Sequence, residues 1–329
     1  MATPPKSPPP GYDQQTLPNL VIAGVGKAGT TSLFWYLAQH PDVCASDVKE
    51  IQYFTPLSEG DGVLPPVAEY AAHFRTWEGE RYRLEASPQY YHGGQVIVEA
   101  MRATLDRPRV VVMLRDPVDR LWSTFRFMRS RLADLPEGMT FESYVEACSQ
   151  VRERREPFSQ ENRLYWTIQG GFYGEYLDPW TEGFGDDLRV VFFEDLAASA
   201  EQTALSMYAW LGLEPPATDA ISYSVENRTI AYRSKLLQRV ALAANREGRL
   251  GDKRRLKAPL RKIYYALNRR PEAERMNPDT RSKLEALFAP GNAALAARLK
   301  SLGYDRLPTW LARADTDTAT ATDPLAHPD

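Results

Sequence analysis

Two kinds of segment alternate along most of this chain. Short strand-like runs, the pattern of strands buried on both faces of a sheet, occupy residues 20–23, 82–85, 110–114 and 188–193. Stretches with apolar residues at helical spacing occupy residues 33–37, 94–105, 121–128, 141–151, 173–180 and 200–211. Strands followed by helices in this way predict an α/β fold, a P-loop-like parallel sheet flanked by helices.

The two ends of the chain differ from its middle. Residues 1–18 include six prolines and no apolar run of the kind a signal peptide carries, so we expect a disordered lead. Residues 315–329 contain four aspartates and neither lysine nor arginine, the composition of a disordered acidic tail. We therefore expect one domain over residues 19–314, with residues 228–314 as its helical, basic C-terminal extension.

Composition removes several classes of function. The chain has 329 residues and 43% hydrophobic residues, enough for a large core without staples. A net charge of -3 excludes a histone-like protein that binds polyanions over its whole surface. Residues 228–283 nevertheless carry 17 Lys and Arg against five Asp and Glu, but they form no known nucleic-acid-reading module. We expect no nucleic-acid partner.

The cysteines and the hydropathy of the chain bear on whether it has a metal site, a disulfide or a membrane-spanning segment. Cys44 and Cys148 lie far apart and outside any metal-ligand spacing, so we expect two buried thiols, no metal site and a reducing, cytoplasmic compartment. Nowhere do about 18 apolar residues run together, so no membrane span is expected.

A glycine loop, residues 24–31, joins the first strand to the first helix, where backbone N–H groups and the helix dipole favour an anion. Gly24 and Gly29 have the separation of a Walker A loop, but Thr30 stands where its lysine belongs, which argues against an ATPase or kinase. Gly24-x-Gly26-x-x-Gly29 also fits a dinucleotide turn, so an NAD-dependent oxidoreductase stays an alternative. Lys27 inside the loop favours a ligand with a terminal, strongly charged group.

A second anion-binding pattern follows the strand at 110–114. Arg115 ends that strand, Pro117 suits the first turn of the next helix, and Ser123 lies two turns along it. Ligands of open α/β sheets bind at the carboxyl ends of the strands. Two such loops therefore predict a site for a small polyanion.

These residues resemble a known family. Lys27-Ala28-Gly29-Thr30-Thr31 is similar to the 5′-phosphosulfate loop of sulfotransferases that use 3′-phosphoadenosine 5′-phosphosulfate (PAPS), and residues 115–123 resemble their 3′-phosphate motif. The resemblance covers about residues 19–213, including Gly171-Phe172-Tyr173. It implies PAPS as co-substrate, no metal, and nucleotide contacts from Lys27, Ala28, Gly29, Thr30, Thr31, Ser32, Arg115, Ser123 and Tyr173, with Arg228 and Arg233 closing from the basic stretch.

The family's branches differ in the base that activates the acceptor. Steroid and phenol sulfotransferases use a histidine, and none of the four histidines here stands in that motif's context. Lys49-Glu50-Ile51-Gln52-Tyr53-Phe54 resembles the Lys-Glu-x-x-Phe-Phe segment of heparan-type enzymes. The resemblance implies Glu50 as base and Lys27 as the cation that stabilises the leaving phosphate.

Residues 84–91 are similar to a strand-end segment of the same subfamily, with Ala86 where a lysine often stands. Ser87 and Tyr90 are thus expected to contact the acceptor. The expected reaction is sulfuryl transfer by in-line displacement to a hydroxyl or amine of a carbohydrate or glycosylated small molecule. A noncatalytic module that binds nucleotides or polyanions remains the alternative from another class.

Overall fold

A five-stranded parallel sheet forms the centre of the molecule. The computed structural model describes residues 16–59, 62–129, 134–159, 161–216, 221–223, 231–232, 269–270 and 275–312. The strands are β1 (Leu20–Gly24), β2 (Val43–Ala45), β3 (Tyr82–Ala86), β4 (Arg109–Leu114) and β5 (Leu188–Phe192), in the order β2-β3-β1-β4-β5. All four pairings are parallel, which confirms the predicted α/β sheet.

β1 lies in the middle of the sheet and is buried along its whole length. All five of its residues, LVIAG, are buried. Leu20 pairs with Leu84 of β3 on one side and with Arg109 of β4 on the other. The carboxyl ends of β3, β1 and β4 therefore meet at one edge of the sheet, the edge at which such folds bind ligands.

Helices cover both faces of this sheet. They are α1 (Thr30–Leu37), α2 (Thr55–Glu59), α3 (Val67–Ala71), α4 (Gly94–Thr104), α5 (Pro117–Phe127), α6 (Phe141–Glu153), α7 (Gly174–Phe184), α8 (Phe193–Ala198), α9 (Ala200–Leu211) and α10 (Pro278–Ser301). α4 packs on α7, and α1 packs on α9. α1 lies in the connection from β1 to β2 and α4 in the connection from β3 to β4, and these connections cross the sheet in opposite directions. Because parallel crossovers are right-handed, the two helices lie on opposite faces.

A second, smaller core lies beside the sheet. It joins apolar residues of α5, α6 and α10, among them Leu121, Phe125, Tyr144 and Phe288. α5 makes contacts with α6 and α10 and with the short 3-10 helix Gln169–Gly171. The helix that follows Arg115 is thus held by its own cluster.

The structure places one residue of the predicted lead in the core and adds elements too short to show a period. Leu17 is 1% exposed and belongs to the main core. β2, α2, α3 and α8, each six residues or fewer, were not predicted.

The C-terminal extension is helical over α10, but it also contains strands. A short antiparallel pair, Ala231–Tyr232 with Arg269–Arg270, lies within the stretch expected to be helical. The rest of residues 228–274 and the acidic tail lie outside the described residues.

Cys44 and Cys148 are both free and buried. Burial raises the pKa of the Cys148 thiol to about 12, so it behaves as an apolar side chain. Of the described helices, none combines the length and the apolar character that crossing a bilayer requires. Within the described ranges no group of His, Cys, Asp and Glu side chains is arranged to hold a metal ion.

Candidate active site

The glycine loop turns tightly from β1 into α1. Val25 N–H donates to Met113 O of β4 at 2.8 Å, and Ala28 N–H donates back to Val25 O at 3.2 Å. A Cβ at Gly24 would lie 2.5 Å from the Cβ of Tyr91, and Gly29 has a φ of +87° that disfavours other residues. The loop therefore needs glycine at both positions to aim the first N–H groups of α1 at the sheet edge, where an anion can accept from them.

Lys27 lies at the tip of this loop with its backbone in the left-handed region, at a φ of 69°. Its Nζ is 4.2 Å from the centroid of the Phe127 ring, at the end of α5. A cation over an aromatic face is stabilised by the ring quadrupole. The contact brings the ammonium of the first motif to the helix that carries the second.

Arg115 joins the two motifs directly. Its Nη1 donates to Lys27 O at 3.1 Å, and its guanidinium lies 4.2 Å from the centroid of the Phe193 ring. Its Nε is buried and has no hydrogen-bond partner among the described residues. Burial lowers the pKa of Arg115, and the nearby carboxylates of Asp119 and Glu194 act against that shift. A buried, unpaired guanidinium N–H is a ready donor to a phosphate oxygen.

The start of α5 is fixed by capping. The Asp116 carboxylate accepts from Val118 N–H at 2.8 Å and from Asp119 N–H at 3.2 Å, and Pro117 occupies the first turn. Asp116 N–H donates to Glu194 Oε1 at 2.9 Å. These bonds orient the helix relative to β4. Ser123 lies two turns along it and is half-buried.

Tyr173 lies behind Arg115 and is 1% exposed. Its hydroxyl donates to Arg115 O at 2.9 Å, and burial raises the pKa of Tyr173 to about 12. The predicted nucleotide contact is thus a buried side chain that is hydrogen-bonded to the backbone of Arg115. Arg228 and Arg233, the other two predicted contacts, lie outside the described residues.

Glu50 lies on the opposite side of β1, where the chain passes from β2 over the end of β3. Its carboxylate is 43% exposed and lies 2.5 Å from Lys49 Nζ. Its N–H donates to Ala86 O at 3.0 Å, and its φ is 69°. The candidate base is thus an exposed carboxylate at the same sheet edge as the glycine loop.

Ser87 and Tyr90 are both 0% exposed. Ser87 Oγ accepts from Gln52 N–H at 2.9 Å, and the Tyr90 hydroxyl accepts from Phe54 N–H at 3.4 Å. Their burial does not support the predicted contacts with an acceptor. They bind the Glu50 segment, residues 50–54, to the end of β3.

Glu85, which the sequence reasoning did not single out, lies beneath this segment. It is 0% exposed; Oε1 accepts from the Tyr70 hydroxyl at 2.6 Å and Oε2 accepts from Ser87 Oγ at 3.1 Å. Burial raises the pKa of this carboxyl to about 7, against the hydrogen bonds from Tyr70 and Ser87, which lower it. The available signal was a charged residue inside a strand that the sheet order buries on both faces.

The fold and this edge together define an α/β protein that carries two basic loops at the carboxyl ends of neighbouring parallel strands. The family described as "Sulfotransferase domain" matches residues 17–233, well over half of the chain. The chain belongs to the sulfotransferase family, which confirms the resemblance.

Curated relatives include heparan sulfate enzymes. The chain is 26% identical to bifunctional heparan sulfate N-deacetylase/N-sulfotransferase 1 of Caenorhabditis briggsae, over 92% of this chain and 32% of that protein. It is 26% identical to mouse heparan sulfate glucosamine 3-O-sulfotransferase 3B1, over 65% of this chain and 50% of that protein. A third relative, the membrane-associated sulfotransferase kil1 of Dictyostelium discoideum, is 29% identical over 48% of this chain and 36% of its own length. The chain thus spans between about one third and one half of the length of these three relatives.

Among solved structures, a sulfotransferase from Alicyclobacillus acidocaldarius has a similar fold. The TM-score is 0.60 at 24% identity, over 89% of this chain and 98% of that one. At this level of identity, the similarity shows the fold alone.

Proposed function

We propose that this protein transfers a sulfuryl group from PAPS to a hydroxyl or amine of a carbohydrate or glycosylated small molecule. One observation carries the proposal: the Arg115 guanidinium, whose Nε is buried and unpaired within the described part of the chain, contacts the backbone of Lys27. A nucleotide charged at both its 3′ and 5′ positions needs two neighbouring anion sites, and the contact between Arg115 and Lys27 supports this assignment.

The described residues fit that nucleotide. The glycine loop offers the N–H groups of the first turn of α1 and the Lys27 ammonium to the 5′ end. The Arg115 guanidinium can donate charge-assisted hydrogen bonds to the oxygens of the 3′-phosphate, and the Ser123 hydroxyl is a further donor. PAPS supplies an activated sulfuryl group on a phosphate leaving group.

Each step of the transfer has a residue suited to it. The Glu50 carboxylate accepts the proton of the acceptor hydroxyl or amine as its oxygen or nitrogen forms the new bond to sulfur. As the bond from sulfur to the phosphate oxygen breaks, the Lys27 ammonium balances the negative charge that builds on that oxygen. Arg115 and the loop fix the nucleotide so that attack and departure are in line.

The carbohydrate class rests on two supports. The first is the Glu50 segment, which has the residue pattern of heparan-type enzymes and an exposed carboxylate at the sheet edge. The second is the pair of relatives whose names specify heparan sulfate as substrate.

Binding and transfer are tested separately. Calorimetric titration with 3′-phosphoadenosine 5′-phosphate (PAP), NAD and ATP should give micromolar or tighter binding to PAP alone. Labelled PAPS with a panel of sugars, lipids and phenols should then label a saccharide, and Glu50→Gln should lower kcat by about 10²-fold or more. Glu182→Gln, an exposed glutamate of α7, is the matched control.

Each alternative predicts a different result. Tight binding of NAD alone would indicate the oxidoreductase. PAP binding without transfer to any acceptor would indicate a noncatalytic nucleotide-binding module. Transfer at a normal rate by Glu50→Gln would remove Glu50 as the base.

A further inference from the structure

We propose that Glu85 is a positioning residue for sulfuryl transfer, which fixes the direction of the hydrogen bonds through which the end of β3 holds the Glu50 segment. The inference rests on the proposed function, because it concerns the base assigned there. Glu85 does not reach the sheet edge itself, since its side chain is fully buried.

The first step is the direction of the hydrogen bonds. Gln52 N–H has only one proton to give, and it gives it to Ser87 Oγ at 2.9 Å. The Ser87 hydroxyl then donates its own proton to Glu85 Oε2 at 3.1 Å. Both bonds are satisfied together only when Glu85 presents an acceptor at that oxygen.

The other carboxylate oxygen is also an acceptor. The Tyr70 hydroxyl donates to Glu85 Oε1 at 2.6 Å, and the Tyr70 ring stacks on Tyr53, with ring centroids 4.2 Å apart. Tyr53 and Phe54 belong to the Glu50 segment. Glu85 therefore reaches that segment through Ser87 to a backbone N–H and through Tyr70 to an aromatic ring. It is also hydrogen-bonded to Tyr90, whose hydroxyl accepts from Phe54 N–H.

The Glu50 segment needs such support because its backbone conformation is unfavourable. Glu50 and Gln52 have φ values of 69° and 58°, in the left-handed region that non-glycine residues rarely adopt. Conformations of this kind persist where surrounding contacts over-determine them. Here three N–H groups of the segment are held by the end of β3, those of Glu50, Gln52 and Phe54, bound to Ala86 O, Ser87 Oγ and Tyr90 OH.

Glu85→Gln tests this arrangement with almost no change of volume. The amide places an N–H₂ group where one acceptor oxygen was, so either Ser87 or Tyr70 loses an acceptor and must turn its proton away. The measurements are made at pH 8 with PAP present, where the native carboxyl is mostly ionised. Glu182→Gln is the matched control on the surface of α7.

Two readouts separate positioning from general stability. Amide hydrogen exchange at Gln52 and Phe54 should become about 10-fold faster, with no change in β4. The kcat should fall about 10-fold while KM for PAPS stays within about twofold, because the nucleotide residues lie across β1. The double variant Glu85→Gln with Ser87→Ala should lose less kcat than the two single effects combined, because both substitutions act on the same chain of hydrogen bonds.

The outcomes distinguish this inference from the proposed function. Unchanged exchange at Gln52 and Phe54, or faster exchange with native kcat, overturns the positioning role of Glu85. A native protein that transfers sulfate to no acceptor overturns the proposed function, and the exchange measurement still decides whether Glu85 orders the segment. If Glu85→Gln does not fold, Tyr70→Phe decides, because it removes one donor while keeping the ring on Tyr53; native exchange in that variant also overturns the proposal.

Discussion

On the β4 side of β1, the groups proposed to bind the nucleotide are backbone N–H groups and two cations, each of which lies over an aromatic ring. On the β3 side, an exposed carboxylate sits on a segment with left-handed residues, held by buried side chains. The first half is built from the local turn and one helix cap. The second depends on a buried acid whose own ionisation is unfavourable. Nucleotide binding should therefore be robust, and base placement should be sensitive to small changes.

The largest effect should come from Lys27. Lys27→Ala removes the cation from the departing phosphate oxygen, so we expect kcat to fall by about 10²-fold or more. Lys283→Ala, an exposed lysine of α10, serves as the control and should transfer at the native rate. A normal kcat in Lys27→Ala would show that the loop acts through its backbone alone.

The buried acid should make stability depend on pH. The Glu85 carboxyl has a pKa raised from 4.5 to about 7 in the folded protein, so folding favours its protonated form. Its contribution is most favourable below pH 4.5, falls as pH rises towards 7 and is constant above that, a change of about 3 kcal/mol. Tyr70, Tyr90 and His73 are the titratable groups that act on it electrostatically.

Denaturant unfolding of the native protein and of Glu85→Gln from pH 4.5 to 8 measures this contribution of Glu85 to the free energy of unfolding. The difference in unfolding free energy, native minus variant, should decrease with pH. A difference that does not vary over this range would mean that ionisation of Glu85 does not destabilise the folded protein. The β3 side of the site would then be no more sensitive to substitution than the β4 side.

Arg115 tests the nucleotide half through binding. Arg115→Ala should raise the Kd for PAP by about 30-fold, because a charge-assisted contact is worth about 2 kcal/mol. Arg102→Ala, an exposed arginine of α4, should leave Kd unchanged. Calorimetry provides both values, and an equal Kd in the two variants would place the 3′-phosphate elsewhere.

The smallest effect should come from Phe127. Phe127→Leu keeps an apolar side chain but removes the ring beneath Lys27 Nζ, so we expect kcat to fall about threefold, within the range of an exposed cation–π contact. Phe127→Tyr keeps the ring face and should restore the rate. Equal rates in Leu and Tyr variants would show that the ring has no part in placing the ammonium.

Much of the nucleotide half could be predicted from the sequence because its groups are neighbours in the chain. Gly24, Gly29 and Lys27 lie in one loop, and Pro117 lies two residues after Arg115. The tight turn and the start of the helix can therefore be predicted from neighbouring residues in the sequence. The parallel sheet could be predicted for the same reason, from runs such as 110–114.

The rest depended on contacts between distant residues. Ser87 and Tyr90 were expected at the acceptor, yet they face inward, because a polar side chain after a strand can point either way. Tyr173 donates a hydrogen bond to Arg115 from 58 positions away in the sequence. The hydrogen-bond partner of Glu85, Tyr70, lies in a helix of only five residues, which is too short to show a helical period. Leu17 lies in a proline-rich stretch whose composition masks one buried side chain.

β1 also has a consequence for how this protein could be altered. Its carbonyl at Ile22 accepts from Ser87 N–H on one flank, and Val25 N–H, just beyond it, donates to Met113 O on the other. A single strand thus sets a fixed distance between the loop that contains Lys27 and the Glu50 segment. Substitutions on the β3 flank should therefore leave nucleotide affinity unchanged, whereas an insertion or deletion within β1 should shift both flanks together and abolish transfer.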